Sequence, residues 1–191
     1  MSCERCEIAR TFRQRYTDTD DAPCFKDVCS LPESAPKCDL LVYGSSCRGL
    51  SLLNNHRRDL LDIDFESAAC SSGNTMRGCL EYVACAKPRV VIIENVAGLL
   101  SAASNGERNI DLVFAQLREH GYECGYSKFD ARDFCLPQSR SRVYVWAELG
   151  CATEDKTSIS RNWELMLSKL RNDCSCFRLD FHSLLQHLDG N

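Results

Sequence analysis

Cys47, Glu94 and the arginines Arg140 and Arg142 each stand where a predicted strand meets a loop, and their side chains carry the chemistry of a nucleophile, an acid and two fixed cations. Cys47 follows an apolar run of strand length, Leu40-Leu41-Val42-Tyr43 after Asp39, that ends in Gly44-Ser45-Ser46. The chain thus leaves a buried strand and presents a thiol on a turn. Arg48 beside it favours the thiolate by charge, and the small neighbouring residues leave it reachable. Those two conditions separate a reactive cysteine from a buried, inert one. A chain with fourteen cysteines makes burial the commoner fate of any single one, so Cys47 has to be judged with its neighbours in the fold.

Ile8, Phe12 and Tyr16 recur at helical spacing and predict an amphipathic helix. Residues 22–28 read as a short strand ending in an acid, and a Pro-containing linker leads to the strand at 39. Residues 54–72 are polar and aperiodic, which predicts a long surface loop. Asn74 or Thr75 can cap a helix carrying Met76, Leu80, Val83 and Ala84 that stops before Pro88. The β-branched run at 90–93 suits a central parallel strand and runs into Glu94-Asn95-Val96. Gly106 and Asn109 open a further helix, with Ile110, Val113, Phe114 and Leu117 on one face and Gly121 at its close. Strands at 122–129 and 142–147 flank a basic connector, and two more helical faces follow, Trp163, Met166, Leu167 and Leu170, then Phe181, Leu184, Leu185 and Leu188. Strand and helix alternate through residues 1–150, which predicts an α/β layer fold with a mostly parallel sheet, helices on both faces and a site at the carboxyl ends of its strands. Residues 151–191 are expected to be a helical appendage.

Composition narrows the class. With 191 residues, 44% of them hydrophobic, the chain can bury a core of about one domain. The acidic and basic Glu4, Arg5 and Glu7 stand where a signal peptide needs an apolar run, so the cysteines are expected to be reduced thiols of an intracellular protein. The apolar runs are far too short to span a bilayer. A net charge of −4 argues against generic nucleic-acid binding by the whole surface and leaves room for a local basic groove.

A thiol after one strand, Glu94-Asn95-Val96 after the next, and Gln138-Ser139-Arg140-Ser141-Arg142 before a later one together resemble the motifs of the C5-cytosine methyltransferase family, in that order and spacing, over residues 2–147. The resemblance implies a Rossmann-like methyltransferase sheet and transfer of a methyl group from S-adenosylmethionine to carbon 5 of cytosine in DNA. It gives Cys47 the role of adding to carbon 6 of the ring, and Glu94 that of hydrogen-bonding or protonating ring nitrogen 3. Asn95 would support the loop, and Arg140 and Arg142 would hold the base and that loop. The cytosine would be flipped out of the duplex to reach them. Glu4 would bond the ribose hydroxyls of S-adenosylmethionine and Asp27 would face its adenine. The family's Phe-x-Gly-x-Gly turn is expected ahead of Glu4 and is absent from the chain, so the sheet is expected to be incomplete at its N-terminus, with a target-recognition region missing beyond residue 191.

Two departures fall inside the nucleophile motif: Ser46 stands where the family carries Pro, which loosens the loop, and Arg48 stands where it carries Gln. The implied location is the nucleus, or the cytoplasm for a prokaryotic or tRNA-directed enzyme. No protein partner and no metal follow from the motifs. Competing readings are a tRNA cytosine-5 methyltransferase, a non-catalytic methyltransferase-like interaction module, and a zinc-stabilised module on Cys3, Cys6, Cys24 and Cys29.

Overall fold

A computed structural model describes residues 2–4, 6–16, 23–31, 35–51, 72–102, 106–134, 136–150 and 156–175. Residues 54–71 of the expected surface loop, and the apolar face expected at residues 181–188, lie outside the described residues. The helix expected from Ile8, Phe12 and Tyr16 is α1 (Glu7–Tyr16), set between two short parallel strands, β1 (Ser2–Cys3) and β2 (Cys24–Phe25). A second sheet has the order β3–β4–β6–β5, from β3 (Leu40–Gly44), β4 (Val90–Val96), β5 (Tyr122–Asp130) and β6 (Ser141–Leu149).

The β-branched run at the start of β4 makes it a central strand. It pairs in parallel with β3 from Leu40↔Val90 to Gly44↔Glu94, and antiparallel with β6 from Val90↔Glu148 to Val96↔Arg142. The second pairing carries the strand on through Glu94, Asn95 and Val96, where apolar content alone would have ended it at Ile93. The sheet is therefore mixed rather than mostly parallel. The cause lies in the connections: a helix crosses over between β3 and β4, whereas β5 and β6 are joined by a short connector that can only return the chain antiparallel.

Strand alternation divides the side chains between two layers. Val91 and Ile93 of β4, with Val143, Val145 and Ala147 of β6, are fully buried on one face. They are covered by Met76, Cys79 and Val83 of α2 (Ser72–Ala86) and by Ile110, Val113, Phe114 and Leu117 of α3 (Asn109–Glu119). Helix α2 begins two residues before the expected cap, so Asn74 and Thr75 lie inside its first turn. Trp146 has the opposite parity and stacks on Trp163 of α4 (Lys156–Ser175), with ring centroids 5.7 Å apart and planes at 15°. Helices thus lie on both faces of the sheet, as expected. On the α4 side of the sheet Leu40 and Val42 of the edge strand β3 are exposed, at 54% and 67%.

Gly125 pairs with Trp146 across the β5–β6 hairpin, and a Cβ there would overlap the indole ring. Its missing side chain lets the tryptophan lie flat beneath α4. Gly125→Ala is expected to cost about 1–3 kcal/mol by overpacking. Leu117→Ala, at a fully buried position, is expected to cost about 2–5 kcal/mol through the cavity it leaves. Urea unfolding curves of the two variants against the parent check both values.

Candidate active site

Cys47 lies three residues beyond β3, half-buried, in a loop that three separate contacts hold. Its own carbonyl accepts the amides of Leu50 (3.1 Å) and Ser51 (2.8 Å), closing the turn that follows it. Ser45, buried, accepts a hydrogen bond from the side-chain amide of Asn95. The Ser46 amide donates to Thr75 Oγ1 of α2 at 3.2 Å. The loop is thereby fastened to β4 and α2 ahead of the thiol and closed on its own turn after it.

Glu94 and Asn95 are consecutive in a strand and so point to opposite faces. Asn95 turns toward the α2–α3 side, is 1% exposed, and binds both Ser45 and, through Oδ1, the amide of Val96 at 2.7 Å. Glu94 turns toward the α4 side. There its Oε1 meets Arg142 Nε at 2.9 Å, because Glu94 pairs with Tyr144 and Arg142 lies two residues along β6 on the same face. Oε2 lies over Gly44, where a Cβ would sit 3.8 Å away. Both side chains of the ion pair remain partly exposed, 31% for Glu94 and 21% for Arg142, which suits a site that must admit a ligand.

The structure therefore brings Cys47, Glu94, Asn95 and Arg142 to one end of the sheet. Arg140 lies on the same arm with its side chain exposed, and its carbonyl accepts the Ala131 amide at 3.2 Å. An apolar cavity of about 530 Å³ opens on the α4 side of this end, bounded by Phe129, Tyr144, Trp146 and Trp163 and reached by Gln138, Arg140 and Arg142.

Glu4 and Asp27 stand elsewhere, at the carboxyl ends of β1 and β2. The Glu4 amide donates to Phe25 O at 3.0 Å, which keeps the two strand ends side by side. Glu4 Oε1 accepts the Cys6 amide at 2.8 Å, and Asp27 Oδ1 caps the short turn Val28–Ser30 through the Cys29 amide at 3.0 Å. That turn packs on α2, and Cys29 Sγ donates to Asn74 O at 3.2 Å. Cys29 thus faces α2, and among the described residues no three metal-ligating side chains converge.

Three thiols away from the site are shifted toward the protonated form. Burial pushes Cys79 and Cys124 up from the ordinary thiol value, and Cys3 is pushed up to about 11, first by burial and then by the charge of Asp27. Burial likewise raises the Tyr43 phenol, which donates a hydrogen bond to Thr75 O at 2.8 Å.

Sequence reasoning missed Ser45, Thr75 and Gly98 as parts of this site. Gly98 lies in the turn Ala97–Leu100 just past Glu94-Asn95-Val96, pressed against the turn after Cys47 so closely that a Cβ would overlap the Leu50 carbonyl. The signal was thin: a glycine four residues after the acid, and small hydroxyl residues whose partners lie 29 and 50 positions away in the chain.

A family model for C-5 cytosine-specific DNA methylase matches residues 5–165. The DNA (cytosine-5-)-methyltransferase DMT5 of Cryptococcus neoformans is 28% identical over 198 aligned positions that cover 96% of this chain and 7% of the relative. The type II methyltransferase M.Bsp6I of a Bacillus species is 29% identical over 114 positions, covering 59% of this chain and 33% of the relative. Among solved structures, the Dnmt2 methyltransferase of S. pombe superposes on 80% of this chain and 42% of its own with a TM-score of 0.55 and 19% identity. The DNMT2 of Spodoptera frugiperda superposes on 80% and 43% with a TM-score of 0.58 and 12% identity. The chain spans less than half the length of each of these relatives.

The two loops of the site are packed back to back at Gly98. Gly98→Ala is therefore expected to destabilise the fold by about 1–3 kcal/mol and to drive the turn after Cys47 out of place. A drop in the urea midpoint together with faster amide hydrogen exchange at Leu50 and Ser51 checks it.

Proposed function

The chain belongs to the C-5 cytosine-specific DNA methylase family, and from that membership we propose that it forms the catalytic part of an enzyme that methylates carbon 5 of cytosine in DNA. One observation carries the reading: the Glu94–Arg142 ion pair stands on the same strand end that fastens the Cys47 loop through Asn95. The reading requires a ring lying across that end to meet sulfur and carboxyl together.

In this reading Cys47 is the nucleophile. Its thiolate forms a bond to ring carbon 6, the 5,6 double bond gives up its electron pair, and carbon 5 becomes nucleophilic. Glu94 hydrogen-bonds or protonates ring nitrogen 3, where the incoming negative charge gathers. Arg142 holds one carboxylate oxygen, so the other faces the ring in a fixed direction. Asn95 keeps the thiol's loop in register with that acid, and Arg140 contacts the base or its backbone. Once carbon 5 carries the methyl group, loss of its proton and departure of the Cys47 thiolate restore the double bond.

The methyl donor of this reading is S-adenosylmethionine, which supplies an electrophilic methyl carbon. Glu4 and Asp27 suit its nucleoside: two carboxylates at adjoining carboxyl ends of parallel strands offer acceptors to hydroxyl and amino donors. Each carboxylate has acceptor capacity beyond the one backbone amide it binds here. The nucleus is the location that goes with a DNA substrate in a eukaryote. No helix of the described residues is long and apolar enough to cross a membrane.

A protein carrying these residues, given S-adenosylmethionine and DNA containing 5-fluorocytosine, is expected to form a covalent adduct that survives denaturing electrophoresis, because fluorine cannot leave carbon 5 as the proton does. Cys47→Ser is expected to remove the adduct, and Glu94→Gln to slow its formation by roughly 10²–10⁴-fold. Adduct persisting in Cys47→Ser would overturn the assignment. Adduct on fluorinated tRNA alone would move the substrate to RNA, and none on either would favour the non-catalytic interaction module.

A further inference from the structure

Ser46 sits between the two fixed points of the nucleophile loop, Ser45 on Asn95 and the Cys47 carbonyl on Leu50 and Ser51. A serine there leaves the backbone freer to rotate than a proline would, and it adds an N–H that is half-buried and must be satisfied. That N–H donates to Thr75 Oγ1 at 3.2 Å. Thr75 is itself anchored, since its carbonyl accepts the Tyr43 hydroxyl at 2.8 Å. Tyr43 is the last residue before Gly44, where the loop departs from β3. The contacts thus run in a circuit: strand end to first turn of α2, α2 to loop, loop back to strand end.

From this circuit we infer that Thr75 is a positioning residue for Cys47, clamping the Ser46 amide to α2 and so setting where the neighbouring thiol stands. The inference rests on the reading of Cys47 as nucleophile. A displacement of about 1 Å at a reacting atom can cost on the order of 10²-fold in rate, so one hydrogen bond adjoining the thiol has leverage that its own strength does not suggest. The hydroxyl is required and the methyl group is not. Serine at position 75 keeps the clamp and valine, of the same shape, loses it.

The test compares Thr75→Val, Thr75→Ser, Ser46→Pro and the double variant Ser46→Pro/Thr75→Val. Two readouts need no turnover: exchange of the Ser46 amide hydrogen, and alkylation of Cys47 by iodoacetamide followed on its own peptide. The third is the rate of adduct formation with 5-fluorocytosine DNA at saturating DNA. Thr75→Val is expected to speed Ser46 exchange about tenfold, the size of one hydrogen bond, to change the alkylation rate of Cys47, and to slow adduct formation by roughly 10–100-fold. The half-saturating DNA concentration is expected to stay unchanged.

Thr75→Ser is expected to restore all three readouts. With Ser46→Pro, which has no N–H to hold, adding Thr75→Val is expected to change neither Cys47 alkylation nor adduct rate further. Wild-type exchange and alkylation in Thr75→Val would overturn the inference, as would an undiminished effect of Thr75→Val in the proline background. If exchange and alkylation respond as expected while even the parent protein forms no adduct, the clamp stands and the catalytic reading of Cys47 falls.

Discussion

The end of β4 serves two sides of the molecule at once, because adjacent residues of a strand point to opposite faces. Glu94 reaches the α4 side and meets Arg142, whereas Asn95 reaches the α2–α3 side and takes hold of Ser45. A one-residue slip of β4 against its neighbours would exchange those faces, burying the carboxylate beside Ile93 and exposing the amide. The register is protected by the same alternation, since Val91 and Ile93 are fully buried on the Asn95 face and could not be turned out at small cost. The apolar half of the strand therefore fixes the chemistry of its polar end. It does so from both edges, through parallel pairing to β3 and antiparallel pairing to β6.

Much of this could be read in advance where a residue's environment is set by its near neighbours. The helix faces Ile110, Val113, Phe114 and Leu117 and Met76, Leu80 and Val83 are periodic, and both became core helices. Gly121, expected to close α3, has a φ of +88° that favours glycine. The amino-acid order also placed Cys47 just beyond a strand and Arg142 at the start of one, whereas Glu94, expected where the apolar run stops, lies inside β4.

What local pattern could not supply was pairing across distance. The antiparallel insertion of β6 between β4 and β5 depends on which edge of β4 is open, and no window of residues contains that information. The partnership of Ser45 with Asn95 and of Ser46 with Thr75 is likewise a product of the closed sheet. Gly98 offers the same lesson from sterics: its need for no side chain comes from the Leu50 carbonyl, a group supplied by a turn 48 positions earlier in the chain. Periodicity anticipated α1 as well, yet Ile8 is 80% exposed on it. Amphipathic spacing specifies a helix without specifying what covers it.

The forces at the site are divided by the work they can do. The Glu94–Arg142 pair is partly open to solvent, and pairs of that kind contribute only about 0–1 kcal/mol to stability. Its consequence is directional: a planar guanidinium fixes the orientation of one carboxylate and with it the face of the second oxygen. Stability comes instead from the buried strand pairs beneath, and from close packing of the two loops at Gly98. The Asn95–Ser45 bond stands between these regimes, since both groups are buried and either left alone would cost about 1–3 kcal/mol. Two buried polar groups that satisfy each other constrain the loop carrying the thiol more than an exposed charge nearby does. The exposed Arg48, one residue past Cys47, can tune the surroundings of the sulfur. The hydrogen bonds of Ser45 and Ser46 determine where that sulfur is.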